Sequence, residues 1–317
     1  MPFSLAIHGG AGTMRRQAMT PELEAAHHSG LAAALRAGFA VLQAGGTALD
    51  AVTRAVMALE DNPLFNAGHG AVFTSDGTLE MDAAVMEGHT RQAGAVAGIL
   101  GPRNPVLAAR AVMGSGSVLL AGAGAVSFCR EAGLTFEDAA YFHTPRRWDA
   151  LQAELARRRV HAPDTRDDAA RHGTVGAVAR DTAGHLAAAT STGGMTAKRP
   201  GRIGDCPVFG AGTWADATVA VSATGTGEVF IRHAAAHEIA ARIRLGGQTL
   251  AQAAADVVAE LQADGGDGGL IAVDAAGTIA LPFNSAGMYR GTIGPDGAAY
   301  TALYAGEPFT NAANASA

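Results

Sequence analysis

The sequence predicts a layered α/β protein in which sheets pack face to face with helices on the outside. Three observations lead there. Amphipathic helical stretches come early, short apolar strand-like runs are numerous later, and two further amphipathic helices interrupt those runs. The chain has 317 residues, 48% of them hydrophobic, and a mean hydropathy of +0.14, enough apolar material for a sizeable core.

Residues 3–7 read as an apolar strand that runs into a glycine turn, His8-Gly9-Gly10-Ala11-Gly12-Thr13. Residues 21–43 read as a helix, with Leu23, His27, Leu31, Leu35 and Phe39 at every fourth position. Gly45-Gly46 stops it. Thr47 caps a second helix over 48–59, with Leu49, Val52, Val56 and Leu59 on one face. Residues 71–74 and 79–86 suggest a hairpin around Asp76-Gly77. A strand is expected at 93–100, and helices at 104–112 and 122–131. Residues 141–172 concentrate charge, include Pro163 and keep no apolar period, so they read as an exposed linker. Strands resume at 176–180, 186–190, 217–223, 269–274 and 278–283, with helices over 229–245 and 250–261. No internal repeat stands out.

Composition removes several function classes. The net charge of −6 offers no basic excess for nucleic acid, and Arg157-Arg158-Arg159 is balanced by Asp164, Asp167 and Asp168. Lys198 is the only lysine, which excludes lysine-dependent chemistry elsewhere. Two cysteines, Cys129 and Cys206, make no disulfide framework and suit a reducing, cytoplasmic setting. No secretory leader pattern and no apolar run of about 18 residues is visible, so no membrane partner is expected. No Gly-x-Ser-x-Gly elbow occurs. Residues 122–127 are only a fragment of a dinucleotide fingerprint. His233 and His237 stand four apart beside Glu238 but lack a third zinc ligand.

The run Gly173-Thr174-Val175-Gly176-Ala177-Val178-Ala179 carries the sharpest chemical signal. A threonine hydroxyl is a weak nucleophile until a base stands beside it, and cleavage of the preceding bond would supply its own α-amine. Gly173 leaves the scissile carbonyl open, and the apolar run can hold the new terminus. Cleavage there would divide the single domain 1–317 into residues 1–173, ending in the linker of about 141–173, and residues 174–317. Glycine-rich clusters follow at 190–196, 199–207, 210–216 and 222–228, where backbone N–H groups gather for an oxyanion or carboxylate. Within them, Arg202 and Asp205 offer opposite charges that suit the two ends of an α-amino acid, or else a plain surface ion pair.

These motifs, together with 8–13, Pro63-Leu64-Phe65-Asn66-Ala67-Gly68 and 283–290, resemble the plant-type L-asparaginase/isoaspartyl peptidase family over nearly the whole chain. The resemblance implies an N-terminal-nucleophile hydrolase with a four-layer αββα sandwich. It implies cleavage between Gly173 and Thr174, with Thr174 as nucleophile, Thr192 beside it, and Thr224 with the Gly225 N–H as oxyanion hole. Arg202, Asp205, Gly225 and Gly227 would hold the substrate's aspartyl half, with Asn66 reaching in from the first subunit. The loop 59–69 resembles the family's sodium loop, in which the carbonyls of Leu59, Glu60, Asn62, Phe65, Ala67 and His69 would ligate the ion; no organic cofactor is implied. The implied substrates are L-asparagine and β-aspartyl dipeptides, and the implied assembly is a homodimer of processed units. Cys206 stands where relatives commonly have serine. A glycosylasparaginase-type amidase is the alternative, but that relative has Asp and Asn where this chain has Gly173 and Gly193. A non-enzymatic glycine-rich ligand-binding protein is the other alternative, and the retention of the polar motif residues speaks against it.

Overall fold

The computed structural model describes residues 3–12, 16, 19–160 and 173–312. Thr13 and residues 161–172 of the expected linker lie outside that set. Strand β1 (Ser4–Gly12) leads to helices α1 (Pro21–Gln43) and α2 (Ala48–Glu60). Strands β2 (Met81–Glu87) and β3 (Ala93–Ile99) follow, then α3 (Pro105–Met113), β4 (Leu119–Ala121), α4 (Gly122–Glu131), α5 (Ala139–Phe142) and α6 (Pro145–Arg159). The second half runs β5 (Val175–Arg180), β6 (Leu186–Thr192), β7 (Thr213–Ala215), β8 (Val219–Gly225), α7 (Gly227–His233), α8 (Ala235–Arg244), α9 (Leu250–Ala263), β9 (Gly268–Asp274), β10 (Ile279–Ala280), β11 (Gly287–Ile293), β12 (Ala299–Tyr304) and β13 (Thr310–Asn311).

The strands form two sheets. One has nine strands in the order β13-β12-β11-β1-β5-β6-β2-β3-β4, and the other has four in the order β10-β9-β8-β7. Strand alternation explains the packing, because successive side chains point to opposite faces. Leu5, Ile7, Val175, Ala177, Ala179, Ala187 and Ala189 join the apolar faces of α1–α4 in one core. Their neighbours Ala6, Val178, Leu186 and Ala188 join Val219, Val221, Leu270, Ile271 and the apolar faces of α7–α9 in a second core. The central strands are therefore buried on both faces, which is why they read as unbroken apolar runs. A smaller cluster of Phe73, Met81, Phe142 and Leu151 seats α5 and α6.

Helices α1 and α2 match the sequence expectation. Their caps are Thr20, whose hydroxyl accepts the Leu23 N–H at 3.3 Å, and Thr47, which accepts the Asp50 N–H at 3.1 Å. Four expectations need correction. The glycine turn at 8–12 is strand, since Gly10, Ala11 and Gly12 pair with Tyr289, Met288 and Gly287 after a bulge at His8. The hairpin placed around Asp76-Gly77 is a tight turn closed by the Thr74 N–H on Thr78 O, whereas β2 pairs with β3 across residues 88–92. The helix expected over 229–245 breaks at Ala234, which adopts φ 46° and ψ 45° because Ala236 and His237 donate their N–H groups to Ala211 O and Gly210 O. The linker contains α6, whose buried face carries Arg147 and Glu154 beside Leu151 and so hid its period. No described helix is long and apolar enough to cross a membrane.

Candidate active site

Sheet register brings the candidate nucleophile to its neighbours. Val175 pairs with Ser191, so Thr174 and Thr192 stand side by side at the adjoining ends of β5 and β6. Thr174 Oγ1 donates to Thr192 Oγ1 at 3.2 Å, and Thr192 Oγ1 donates to the Gly173 carbonyl at 3.1 Å while accepting the Gly194 N–H at 2.9 Å. Each hydroxyl spends its one proton once, so the relay is self-consistent. Asn66 reaches the same carbonyl from the loop after α2: its Nδ2 donates to Gly173 O at 2.6 Å and to Gly194 O at 2.7 Å. The Asn66 side-chain oxygen accepts the Val72 N–H at 2.9 Å, and its backbone oxygen accepts the Gly193 N–H, so the amide is held at both ends. On the far side Gly10 approaches so closely that a Cβ there would lie 2.9 Å from Gly173 Cα.

Thr174 opens into a cleft lined also by Gly173, Thr192, Arg202, Asp205 and Gly225. The cleft is about 230 Å³, below the roughly 300–1,000 Å³ typical of larger ligands, which suits an amino-acid-sized molecule. Asp205 is buried, and its Oδ2 has no hydrogen-bond partner among the described residues. Burial pushes its carboxyl up to about 7, because the charged form has lost its water; Arg202 opposes this only in part. A buried, half-satisfied carboxylate of this kind is poised for a cationic ligand.

Arg202 does not pair with Asp205 as a plain ion pair. Its Nε and Nη2 take both oxygens of Glu228 at 2.9 and 2.8 Å, leaving Nη1 on the Gly204 side. Gly227 packs between the two charges, where a Cβ would stand 2.8 Å from Asp205 Oδ1 and 3.0 Å from Arg202 Nη2. Thr224 is fully buried at the end of β8 and its hydroxyl accepts the Ala11 N–H at 3.2 Å; Gly225, next to it, is the residue that lines the cleft.

The model of the asparaginase family matches residues 1–303 of this chain. The chain belongs to the asparaginase family. It is 54% identical over 292 residues to an isoaspartyl peptidase of Salmonella typhimurium, covering 90% of this chain and 93% of the relative. It is 53% identical to an isoaspartyl peptidase of Escherichia coli, over 90% and 91% of the two chains. A plant-type L-asparaginase of Pyrococcus abyssi is 42% identical, over 90% and 94%.

In this asparaginase-family chain the loop 59–69 is curled so tightly that its carbonyls converge. A Cβ on Gly68 would lie 2.6 Å from Glu60 O, and one on Gly70 would lie 2.1 Å from Phe65 O. The internal bonds to Leu59, Asn62, Phe65 and Ala67 carbonyls are long, at 3.1–3.2 Å, which leaves those oxygens with capacity for a hard cation. The donor set fits sodium.

Two residues escaped the sequence reading. Glu228 holds the Arg202 fork. Arg147, on α6, is buried and donates from Nε to Gly70 O at 2.7 Å and from Nη2 to Leu64 O at 3.4 Å, bracing the loop that carries Asn66. An arginine inside a charge-rich stretch reads as a solvated face, and only its position under the loop reveals it. His8 proves structural, as expected. Its Nε2 lies 2.9 Å from Ser222 Oγ, and burial drives its imidazole down to about 3, so it is neutral. His233 pairs with Asp264 while His237 packs edge-on to Trp214, so the two form no metal pair.

Proposed function

We propose that this protein is an autoprocessed amidohydrolase that cleaves L-asparagine and β-aspartyl dipeptides through Thr174. In the maturation step the Thr174 hydroxyl attacks the Gly173 carbonyl carbon and passes its proton toward Thr192. The carbonyl oxygen takes up negative charge against Asn66 Nδ2 and the Thr192 hydroxyl. The C–N bond then breaks to leave a Gly173 ester on Thr174 Oγ1 and a free α-amine. Water hydrolyses the ester, releasing the Gly173 carboxylate.

In turnover the freed amine accepts the Thr174 hydroxyl proton as that oxygen attacks the substrate's side-chain carbonyl. Thr224 and the Gly225 N–H face the oxyanion, and ammonia or an amino acid leaves with the proton. Water then hydrolyses the β-aspartyl ester and frees aspartate. Arg202 Nη1 takes the substrate α-carboxylate, Asp205 takes its ammonium, and Gly227 keeps the space between them open.

The observation that carries this reading is the single carbonyl, Gly173 O, reached by both Asn66 and the hydroxyl that Thr174 itself touches. The names of the relatives support the substrate class. We read the two packed sheets and their flanking helices as a four-layer αββα sandwich of the N-terminal-nucleophile type. We also propose that sodium rests on the carbonyls of Leu59, Glu60, Asn62, Phe65, Ala67 and His69, where it would stiffen the loop that carries Asn66. The enzyme is proposed to be cytoplasmic and to pair as a homodimer of processed units.

Intact-mass spectrometry on the wild type and on Thr174→Ala tests the proposal. Fragments ending at Gly173 and beginning at Thr174 are expected from the wild type alone. An intact wild-type chain that hydrolyses β-aspartyl dipeptides would overturn the mechanism.

A further inference from the structure

Helix α1 and the segment after β12 place an unassigned cluster on the other side of the nine-stranded sheet's edge. Glu24 and His28 stand one helical turn apart on α1, and Glu307 comes from the C-terminal segment. One oxygen or nitrogen from each lies within 4.8 Å of those of the other two. All three line one surface pocket with Arg16 and Thr310. We propose that Glu24, His28 and Glu307 form a site for a divalent transition-metal cation such as zinc.

What separates this cluster from an ordinary patch of surface acid is the histidine. His28 is only 6% exposed, and its Nδ1 is held by Thr301 Oγ1 at 2.8 Å. That bond fixes the ring, and Nε2 makes no hydrogen bond to any described residue. A ring nitrogen anchored on one side and bare on the other is the arrangement that metal-ligating histidines adopt. Both carboxylates are anchored in the same way, each by one oxygen. Glu307 Oε2 accepts the Leu303 and Tyr304 N–H groups at 2.7 and 2.9 Å, and Glu24 Oε2 accepts the Tyr304 hydroxyl at 3.2 Å. Each is left with Oε1.

An imidazole and two carboxylates favour zinc over magnesium, which prefers an all-oxygen shell. Ligand atoms about 2.0–2.2 Å from a tetrahedral zinc stand about 3.3 Å apart, so side-chain rotation must close the cluster slightly. Arg16 sits 4.0 Å from Glu24 Oε1 with its side chain 71% exposed, and it can swing into solvent when a cation arrives. Glu24 and His28 precede the Gly173–Thr174 bond and Glu307 follows it. A bound cation would thus clasp the two fragments together, a role that rests on the cleavage proposed above, whereas the site itself does not.

Isothermal titration with zinc chloride, using wild type, Thr174→Ala, His28→Gln and Glu307→Gln, reads the site directly. The amide introduced by Glu307→Gln keeps an oxygen for the two backbone N–H groups, and far-ultraviolet circular dichroism checks that each variant folds. Should His28→Gln misfold, Glu24→Gln takes its place. Wild type and Thr174→Ala should bind one zinc per chain with equal affinity and melt at higher temperature with it. The His28 and Glu307 variants should lose about tenfold or more in affinity, and the thermal shift with it. Zinc binding that survives both substitutions, no binding at all, or tighter binding of magnesium chloride than of zinc would each overturn the proposal. Binding in Thr174→Ala stands whether or not the wild type cleaves itself.

Discussion

Asn66 Nδ2 lies 2.6 Å from the Gly173 carbonyl oxygen, although 106 residues stand between them in the chain. That contact joins the loop after α2 to the first residue before β5, and it aims a donor at the atom where charge would gather during cleavage. Removing one such donor typically slows the step by about 10²–10³-fold. Asn66→Ala should therefore accumulate uncleaved chain, and a time course by intact mass should show maturation slowed by about that factor.

Thr192 acts through its hydroxyl, which accepts from Thr174 and donates to Gly173 O. Thr192→Val keeps the shape and removes the relay, so cleavage should fall by about 10²-fold or more. Thr192→Ser restores the hydroxyl without the methyl and should mature within about tenfold of the wild type, at a cost of about 1 kcal/mol in stability for the lost methyl. Equal maturation rates in the Val and Ser variants would remove Thr192 from the mechanism.

The carboxyl of Asp205 is held up to about 7 by burial, so it is neutral below that pH and charged above it. Only the charged form attracts a substrate ammonium. The inhibition constant of L-aspartate should rise about tenfold for each unit that pH falls below 7. Succinate, which has no ammonium, should show no such rise. Competition assays over pH 5 to 8 with both ligands separate this effect from titration of the Thr174 amine, which acts on kcat.

Arg147 satisfies the carbonyls of Gly70 and Leu64 from beneath the Asn66 loop. Arg147→Met fills similar volume but strands those acceptors, each costing about 1–3 kcal/mol if water does not replace the donor. Thermal unfolding should drop, and maturation should slow as Asn66 loses its support. A variant that melts lower yet matures at the wild-type rate would show that the arginine serves stability alone.

Much of the site was legible because its chemistry is written in short contiguous runs. Thr174 announces itself through the glycine before it and the apolar strand after it, and Arg202 with Asp205 through opposite charges in a glycine loop. Helices α1 and α2 were legible because their buried faces are apolar. The failures share a cause, which is that tertiary contacts outweighed local preference. Gly9 to Gly12 read as a turn, yet pairing with β11 makes them strand. Ala234 interrupts a helix of good local propensity because the 210–211 carbonyls capture the next N–H groups. Helix α6 was hidden because its inward face holds Arg147, which bonds loop carbonyls, and Glu154, which takes Arg157 and Arg158. The grip of Glu228 on Arg202 joins residues 26 apart in sequence, and no local pattern encodes it.

The strand order has a consequence for the protein's life after cleavage. Residues 1–173 own β1 to β4, and residues 174–317 own β5, β6 and β11 to β13. In the nine-stranded sheet these alternate, so the ladders β11–β1, β1–β5 and β6–β2 each cross from one fragment to the other. The parts can be severed but cannot slide apart without unzipping three ladders. A chain that folds first and is cut afterwards therefore passes through a ratchet. Before the cut, refolding is unimolecular. After it, an unfolded molecule has lost its partner to dilution, and its survival depends on how slowly it opens rather than on how readily it returns.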